Sequence, residues 1–276
     1  MDDSLVDHTG SPSPSPPSKV TAAMTAKTVL RFALLGFASL PVLVVYQLVL
    51  YMGAVLVFGQ FEPTGPKGQI ISVLSLGLGT LTLAIAYLKY SDRDWSFVDL
   101  RVPTLRDVGW AVGGFVILLL GFIAITSLLN VLGLSTAQHS TAQQAQQGDP
   151  ALLLPLIPLS LLIIGPGEEL LYRNVIQKSL YTHFSKVGAV AVASAIFALV
   201  HIPAYATGSG PAALASSLAV IFVLALVLGG VYARTENVLV PAFIHGAYNA
   251  LAFASSYVDL TNNAVESAYV TLFSLV

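Results

Sequence analysis

The sequence from 151 to 176 reads ALLLPLIPLSLLIIGPGEELLYRNVI. This stretch is long enough to cross a membrane, because a helix rises about 1.5 Å per residue and the hydrocarbon layer is about 30 Å thick. Two glutamates and an arginine nevertheless lie inside it, although charge in a bilayer costs at least about 2.5–3.5 kcal/mol per residue. The stretch therefore predicts a spanning helix whose polar groups have a function.

The rest of the chain is similarly apolar. Of its 276 residues, 55% are hydrophobic and 9% are charged, whereas a soluble domain has about 25% charged residues. We predict an all-α fold, a polytopic transmembrane bundle of seven to eight helices. The seven clear spans and a shorter eighth one are predicted at 28–58, 69–89, 107–133, 151–176, 187–204, 212–233, 238–257 and 264–276.

The first 27 residues have a different composition. They contain a Ser/Pro repeat from Ser11 to Pro17 and three aspartates, and such a segment cannot bury enough apolar surface to offset its ordering entropy. We therefore divide the chain into a disordered tail, 1–27, and a transmembrane domain, 28–276.

The basic residues predict an orientation, because short cytoplasmic loops are enriched in Lys and Arg. The segment 89–106 contains four of them, whereas 134–150 and 205–211 contain none. We predict a multi-pass integral membrane protein with a cytoplasmic N-terminus, in contact with the lipid bilayer. The 12 Lys and Arg form no basic patch, so nucleic acid is not an expected partner. The chain has no cysteine, which excludes disulfides and thiol catalysis.

The polar group of the fourth span has a defined geometry on a helix. Glu169 and Arg173 are four residues apart, so they share a face and can pair, while Glu168 points about 100° away. Glu168 is then free to act as a general base. The sequence Gly165-Pro166-Gly167 predicts a break or kink just before the acids.

Two later spans each carry a histidine. In the fifth, His201 follows Phe197 by four residues, and in the seventh, Asn249 follows His245 by four. Each histidine alone could be a packing residue. Together with the acids they supply a base, donors for an oxyanion and metal-ligating groups, so we expect one cavity lined by the fourth, fifth and seventh spans. We expect that cavity to open within the membrane or toward the cytoplasm.

These motifs, in this order, resemble those of the CAAX-protease and bacteriocin-processing family, also called CPBP or Abi, which includes the type II CAAX prenyl endopeptidase. The resemblance covers about 150–255. One residue departs from it, because many members have Gly directly after the motif arginine, where this chain has Asn174. The motifs are Glu168-Glu169-x-x-x-Arg173, Phe197-x-x-x-His201 and His245-x-x-x-Asn249.

The resemblance implies an intramembrane endopeptidase that hydrolyses a peptide bond of a membrane-associated protein or peptide, with a prenylated CAAX-type substrate as one candidate. Glu168 and His201 would activate a water molecule. His245 and Asn249 would donate hydrogen bonds to the oxyanion, and the motif arginine would hold the second glutamate in place.

The metal content is open at this stage. The family is often labelled metalloprotease, and Glu168, His201 and His245 could bind zinc and leave a fourth position free. The zincin motif His-Glu-x-x-His is absent, which leaves room for a glutamate mechanism without metal.

Two other functions are compatible with the same residues. A non-catalytic membrane scaffold or regulator could retain the polar cluster for helix packing. A small-solute transporter could use it as a proton relay, although the absence of an internal repeat disfavours that function.

Overall fold

The computed structural model describes the backbone of residues 19–60, 62–207 and 210–274, and the side chains of 25–262 within those ranges. In these ranges the chain forms helices and loops and no strand. The predicted all-α fold is therefore confirmed. The helices are α1 Lys19–Phe37, α2 Ser39–Phe58, α3 Pro66–Tyr90, α4 Leu105–Val131, α5 Ser140–Gln147, α6 Pro150–Leu180, α7 Lys186–Val200, α8 Ile202–Tyr205, α9 Pro211–Thr235 and α10 Leu239–Ser274.

Five helical stretches of the described chain are long and apolar enough to cross a membrane, which fits a polytopic bundle. They are Thr25–Phe58, α3, α4, α6 and α9. The fifth and seventh predicted spans lie on helices outside this group. The apolar helix α7 has only 15 residues, because the chain turns at His201 and Pro203 supplies no backbone N–H to continue it.

Helix α1 begins before the first predicted span, in the segment that was predicted to be a disordered tail. Residues 19–27, which the sequence analysis assigned to the disordered tail, belong to α1, and the run KVTAAMTAK consists largely of good helix formers. Residues 1–18 of that tail lie outside the described residues. The helix bends at Ala38, where Pro41 cannot donate a hydrogen bond to the preceding turn.

The predicted eighth span at 264–276 is not a separate helix. The backbone of α10 continues from Leu239 to Ser274 without a break, and 275–276 lie outside the described residues. No Pro or Gly occurs in 264–274 to end the helix.

The central helix is α6, which carries the two glutamates. It does not break at Gly165-Pro166-Gly167 as the sequence suggested. The chain there is α-helical, and wider π-helical turns lie on either side, at Ser160–Ile164 and Leu170–Gln177. Such turns absorb a missing proline hydrogen bond without ending a helix. All seven residues from Leu171 to Gln177 are buried, so this part of α6 is enclosed by its neighbours.

The backbones of α6 and α10 touch at two glycines. A methyl group added to Gly165 would collide with the Ala242 carbonyl oxygen, and one added to Gly246 would lie 2.6 Å from the Ser160 carbonyl oxygen. Small residues of this kind allow close helix approach in membranes. Because His245 precedes Gly246, the contact fixes this histidine against the part of α6 that carries the glutamates.

This contact predicts the effect of a small enlargement. We expect Gly246→Ala to destabilise the protein by about 1–3 kcal/mol, because the added methyl group forces the two backbones apart. Thermal unfolding in detergent measures the change. Gly230→Ala in α9 is the matched control, since a methyl group there meets no atom within 4 Å and alanine favours a helix more than glycine does. Equal melting temperatures for the parent and both variants would contradict the close contact.

Candidate active site

Glu169 pairs with Arg173, as the helix spacing predicted. The arginine Nε lies 2.9 Å from Oε2 of the carboxylate, and both side chains are 0% exposed. The two Nη atoms of Arg173 have no hydrogen-bond partner within the described residues, and the guanidinium carbon lies 5.2 Å from the centre of the Phe197 ring. The arginine therefore neutralises one glutamate and packs on an aromatic ring at the same time.

His245 lies between the two glutamates. Its Nδ1 is 3.0 Å from Oε1 of Glu169, and its Nε2 is 3.6 Å from Oε2 of Glu168. Because a carboxylate next to Arg173 accepts hydrogen bonds, Nδ1 of His245 is the donor in the first contact. Glu169 therefore holds Arg173 with one oxygen and His245 with the other. The side chain of Glu168 is 12% exposed, so the carboxylate of Glu168 remains accessible.

His201 has one ring nitrogen fixed by the backbone. Its Nδ1 lies 2.7 Å from the Phe197 carbonyl oxygen, which can only accept a hydrogen bond, so Nδ1 carries the proton. In the neutral ring Nε2 then has a free lone pair and can accept a proton.

The ring of Phe197 joins the three motifs. Its centre lies 4.5 Å from that of His201, 5.8 Å from that of His245 and 5.0 Å from that of Tyr172 on α6. The contacts with Tyr172 and His245 are edge-to-face and the contact with His201 is tilted, and such ring contacts hold side chains in defined orientations. In the sequence Phe197 is recognisable only as part of a motif. In the structure its ring lies at the centre of the packed side chains of the site.

Next to these groups is a cavity of about 320 Å³. Its wall includes His201, His245 and Asn249. Contrary to expectation, no residue of α6 lines this cavity, and Glu168 lies outside its wall. Its apolar walls come instead from α4 and α9. Both helices pack against α10 and enclose the cavity next to the motif residues. Asn249 is half-buried, and its side chain makes no hydrogen bond within the described part of the chain.

The cavity extends toward the end of the bundle that has no basic loop. Thr136 and His139, from the segment between α4 and α5, belong to its wall. This segment and the basic segment 89–106 lie at opposite ends of α4. Of the two expected openings, the one toward the basic, predicted cytoplasmic end does not match this lining, and the one within the membrane stays a prediction. His139 was missed as a site residue because a loop histidine carries no local pattern that marks a tertiary contact.

The proposed zinc ligands do not form a metal-binding arrangement. No group of three or more His, Cys, Asp or Glu side chains among the described residues is arranged to hold a metal ion. The Phe197 ring contacts both histidines. The residues present do not fit a site made of Glu168, His201 and His245.

Residues 150–251 match a family described as Rce1-like, type II CAAX prenyl endopeptidase Rce1-like. The resemblance to the CAAX-protease family is confirmed. The match covers less than half of the chain and contains all three motifs. It supports a protease of this family, and the five apolar helices support an integral membrane protein. No curated protein and no solved structure matches the chain.

Asn174, the departure from the family pattern, has a structural role. It is fully buried, and its Oδ1 accepts hydrogen bonds from the Asp99 backbone N–H at 2.7 Å and from the Tyr232 hydroxyl at 3.2 Å. Lys178, one turn further along α6, pairs with the Asp99 carboxylate at 2.6 Å. The segment between α3 and α4 is thus attached to α6 and α9, so Asn174 does not disturb the helix packing.

The buried pair predicts a large effect of removing its cation. We expect Arg173→Ala to destabilise the protein by about 3–5 kcal/mol and to reduce activity, because Glu169 would remain buried and charged with only a histidine as partner. Thermal unfolding and activity are measured together. The control is Lys186→Ala, which breaks an exposed pair with Glu236 and should cost about 1 kcal/mol or less. If Arg173→Ala melts like the parent and remains active, the pair of Arg173 and Glu169 contributes neither to stability nor to activity.

Proposed function

We propose that this protein is an intramembrane endopeptidase that hydrolyses a peptide bond of a membrane-associated protein or peptide through a water molecule activated by Glu168 and His201. A prenylated CAAX-type peptide is the first candidate substrate, because it is the substrate class in the matched family's description. The observation that carries the proposal is the position of His245, which lies 3.0 Å from Glu169 and 3.6 Å from Glu168 on the wall of a cavity.

In this mechanism Glu168 and His201 activate the water molecule. Glu168 is the glutamate without an arginine partner, so its carboxylate is available to take a proton from water as the oxygen attacks the peptide carbonyl carbon. The free Nε2 of His201 accepts a hydrogen bond from the same water and orients it. The resulting tetrahedral intermediate carries a negative oxygen.

Stabilisation of that oxygen falls to His245 and Asn249. Only the imidazolium form has a proton on each ring nitrogen, so a protonated His245 can donate to Glu169 and to the oxyanion at once. The amide of Asn249, one helical turn further along α10 and free of other hydrogen bonds, supplies a second donor.

The reaction ends with transfer of the proton from Glu168 to the leaving amine as the C–N bond breaks. The products are a new carboxylate and a new amine, and Glu168 returns to its ionised form. Throughout, Arg173 and Glu169 touch no substrate. They are positioning residues that fix the ring of His245, as a buried carboxylate fixes the histidine of a catalytic triad.

We also propose that the N-terminus is cytoplasmic. The support is that the segment 89–106 contains four basic residues, whereas the segment 134–150 contains none. In that orientation the cavity extends from the motif histidines toward the non-cytoplasmic side of the membrane.

The test compares two substitutions in the purified protein, with quenched fluorescent CAAX peptides as probes, one prenylated and one not. Glu168→Gln retains shape and hydrogen-bonding capacity but removes the base, so cleavage should fall to background while the melting temperature is retained. Asn249→Ala removes one oxyanion donor and should reduce kcat by about a hundredfold to a thousandfold. Undiminished cleavage by folded Glu168→Gln, or no cleavage of either probe by the parent, would reject the proposal.

The same assay separates glutamate-activated water from zinc chemistry. A zinc mechanism requires that a chelator abolishes activity, that zinc restores it, and that His201→Ala and His245→Ala both lose bound metal. Because no group of His, Asp or Glu side chains among the described residues is arranged to hold a metal ion, we expect the parent to remain active in the chelator. Zinc-restored activity would contradict the roles assigned above to Glu168 and His201.

A further inference from the structure

His139 lines the cavity next to the motif histidines, although it lies outside the three motifs in sequence. It precedes α5, in the segment that follows α4, and lines the cavity together with His201, His245 and Asn249. Its ring lies edge-on to that of Tyr205, with the ring centres 5.1 Å apart. Nothing in the family motifs or in the proposed mechanism uses this residue.

The tautomer of His139 follows from its helix cap. Its Nδ1 accepts a hydrogen bond from the Thr141 backbone N–H at 3.1 Å, so Nδ1 carries no proton. The neutral ring therefore has its proton on Nε2. Burial lowers the pKa of His139 to about 4, so the ring is neutral at pH 7.

The Nε2–H of His139 is a spare donor. Within the described residues Nε2 of His139 has no hydrogen-bond partner. The protein does not enclose this atom, and the residue lines the cavity. An N–H group that lines a cavity and is not paired within the protein can donate to whatever fills that cavity.

The cavity wall limits what that occupant can be. Among the described residues that form it there is no Lys, Arg, Asp or Glu, and leucines of α4 and α9 line its apolar middle. Its titratable side chains are histidines and tyrosines, so the wall carries no permanently charged group. An uncharged peptide segment suits the wall, because its carbonyl oxygens accept hydrogen bonds and its side chains contact the leucines.

We propose that His139 is a substrate-binding residue of this site, whose Nε2–H donates to a backbone carbonyl oxygen of the bound peptide away from the scissile bond. This inference rests on the proposed function, since the peptide is the substrate of the endopeptidase. Tyr205 holds the ring by packing against it, and the cap on Thr141 sets its tautomer.

The experiment separates binding from helix capping. His139→Asn retains a side-chain oxygen that can cap α5 but loses the imidazole donor, whereas His139→Ala loses both. We expect His139→Asn to raise KM for the CAAX peptide probe about tenfold, the value of one hydrogen bond of about 1.4 kcal/mol, with kcat within twofold and the melting temperature unchanged. His139→Ala should raise KM equally and also lower the melting temperature.

His183→Asn is the matched control, because it makes the same change at an exposed histidine between α6 and α7, and its KM should equal that of the parent. The Kd of the probe, measured in the Glu168→Gln background with and without His139→Asn, reads binding without turnover and should also rise about tenfold. Unchanged KM and Kd in His139→Asn would overturn the inference. Cleavage that persists in Glu168→Gln would instead reject the proposed function, and the KM comparison would still report on His139.

Discussion

The site depends on the close approach of two helix backbones at Gly165 and Gly246. Side chains at these positions would hold α6 and α10 apart, as the contacts of an added methyl group show. With the backbones touching, a histidine on α10 reaches two glutamates on α6, and no loop takes part in the alignment. Rigid helices define such geometry better than loops do. In a bilayer, where helix association relies on packing and interhelical hydrogen bonds, small residues at the crossing are what allow it.

Glu169 connects this packing to the chemistry. Its two oxygens bind different partners, Arg173 at 2.9 Å on the same helix and His245 at 3.0 Å on another. A carboxylate that is 0% exposed would be costly alone, and the two partners offset that cost while they fix the histidine ring. Glu168 lies next to it in sequence but has no arginine partner. Both glutamates thus face His245, but only Glu169 also pairs with an arginine.

The sequence predicted what depends on local spacing. The helical period was sufficient to pair Glu169 with Arg173, and the hydropathy was sufficient for an all-α membrane bundle. The contact between Glu169 and His245 could not be predicted from the sequence, since 76 residues separate the two and no periodicity indicates which helix faces meet. The same reason applies to His139, which joins the cavity through a loop, and to the walls from α4 and α9. The π-helical turns around Gly165-Pro166-Gly167 also escaped prediction, because a proline favours a kink and a widened turn about equally from sequence.

The central claim is that Glu169 binds the Nδ1–H of His245, and NMR of ¹⁵N-histidine-labelled protein in detergent tests it most directly. The His245 signals are assigned by their loss in His245→Asn. The account predicts a protonated Nδ1 in the parent, with ¹⁵N and ¹H shifts typical of a hydrogen bond to a carboxylate that change in folded Glu169→Gln. An unprotonated Nδ1 in the parent, or His245 signals that are identical in Glu169→Gln, would contradict it.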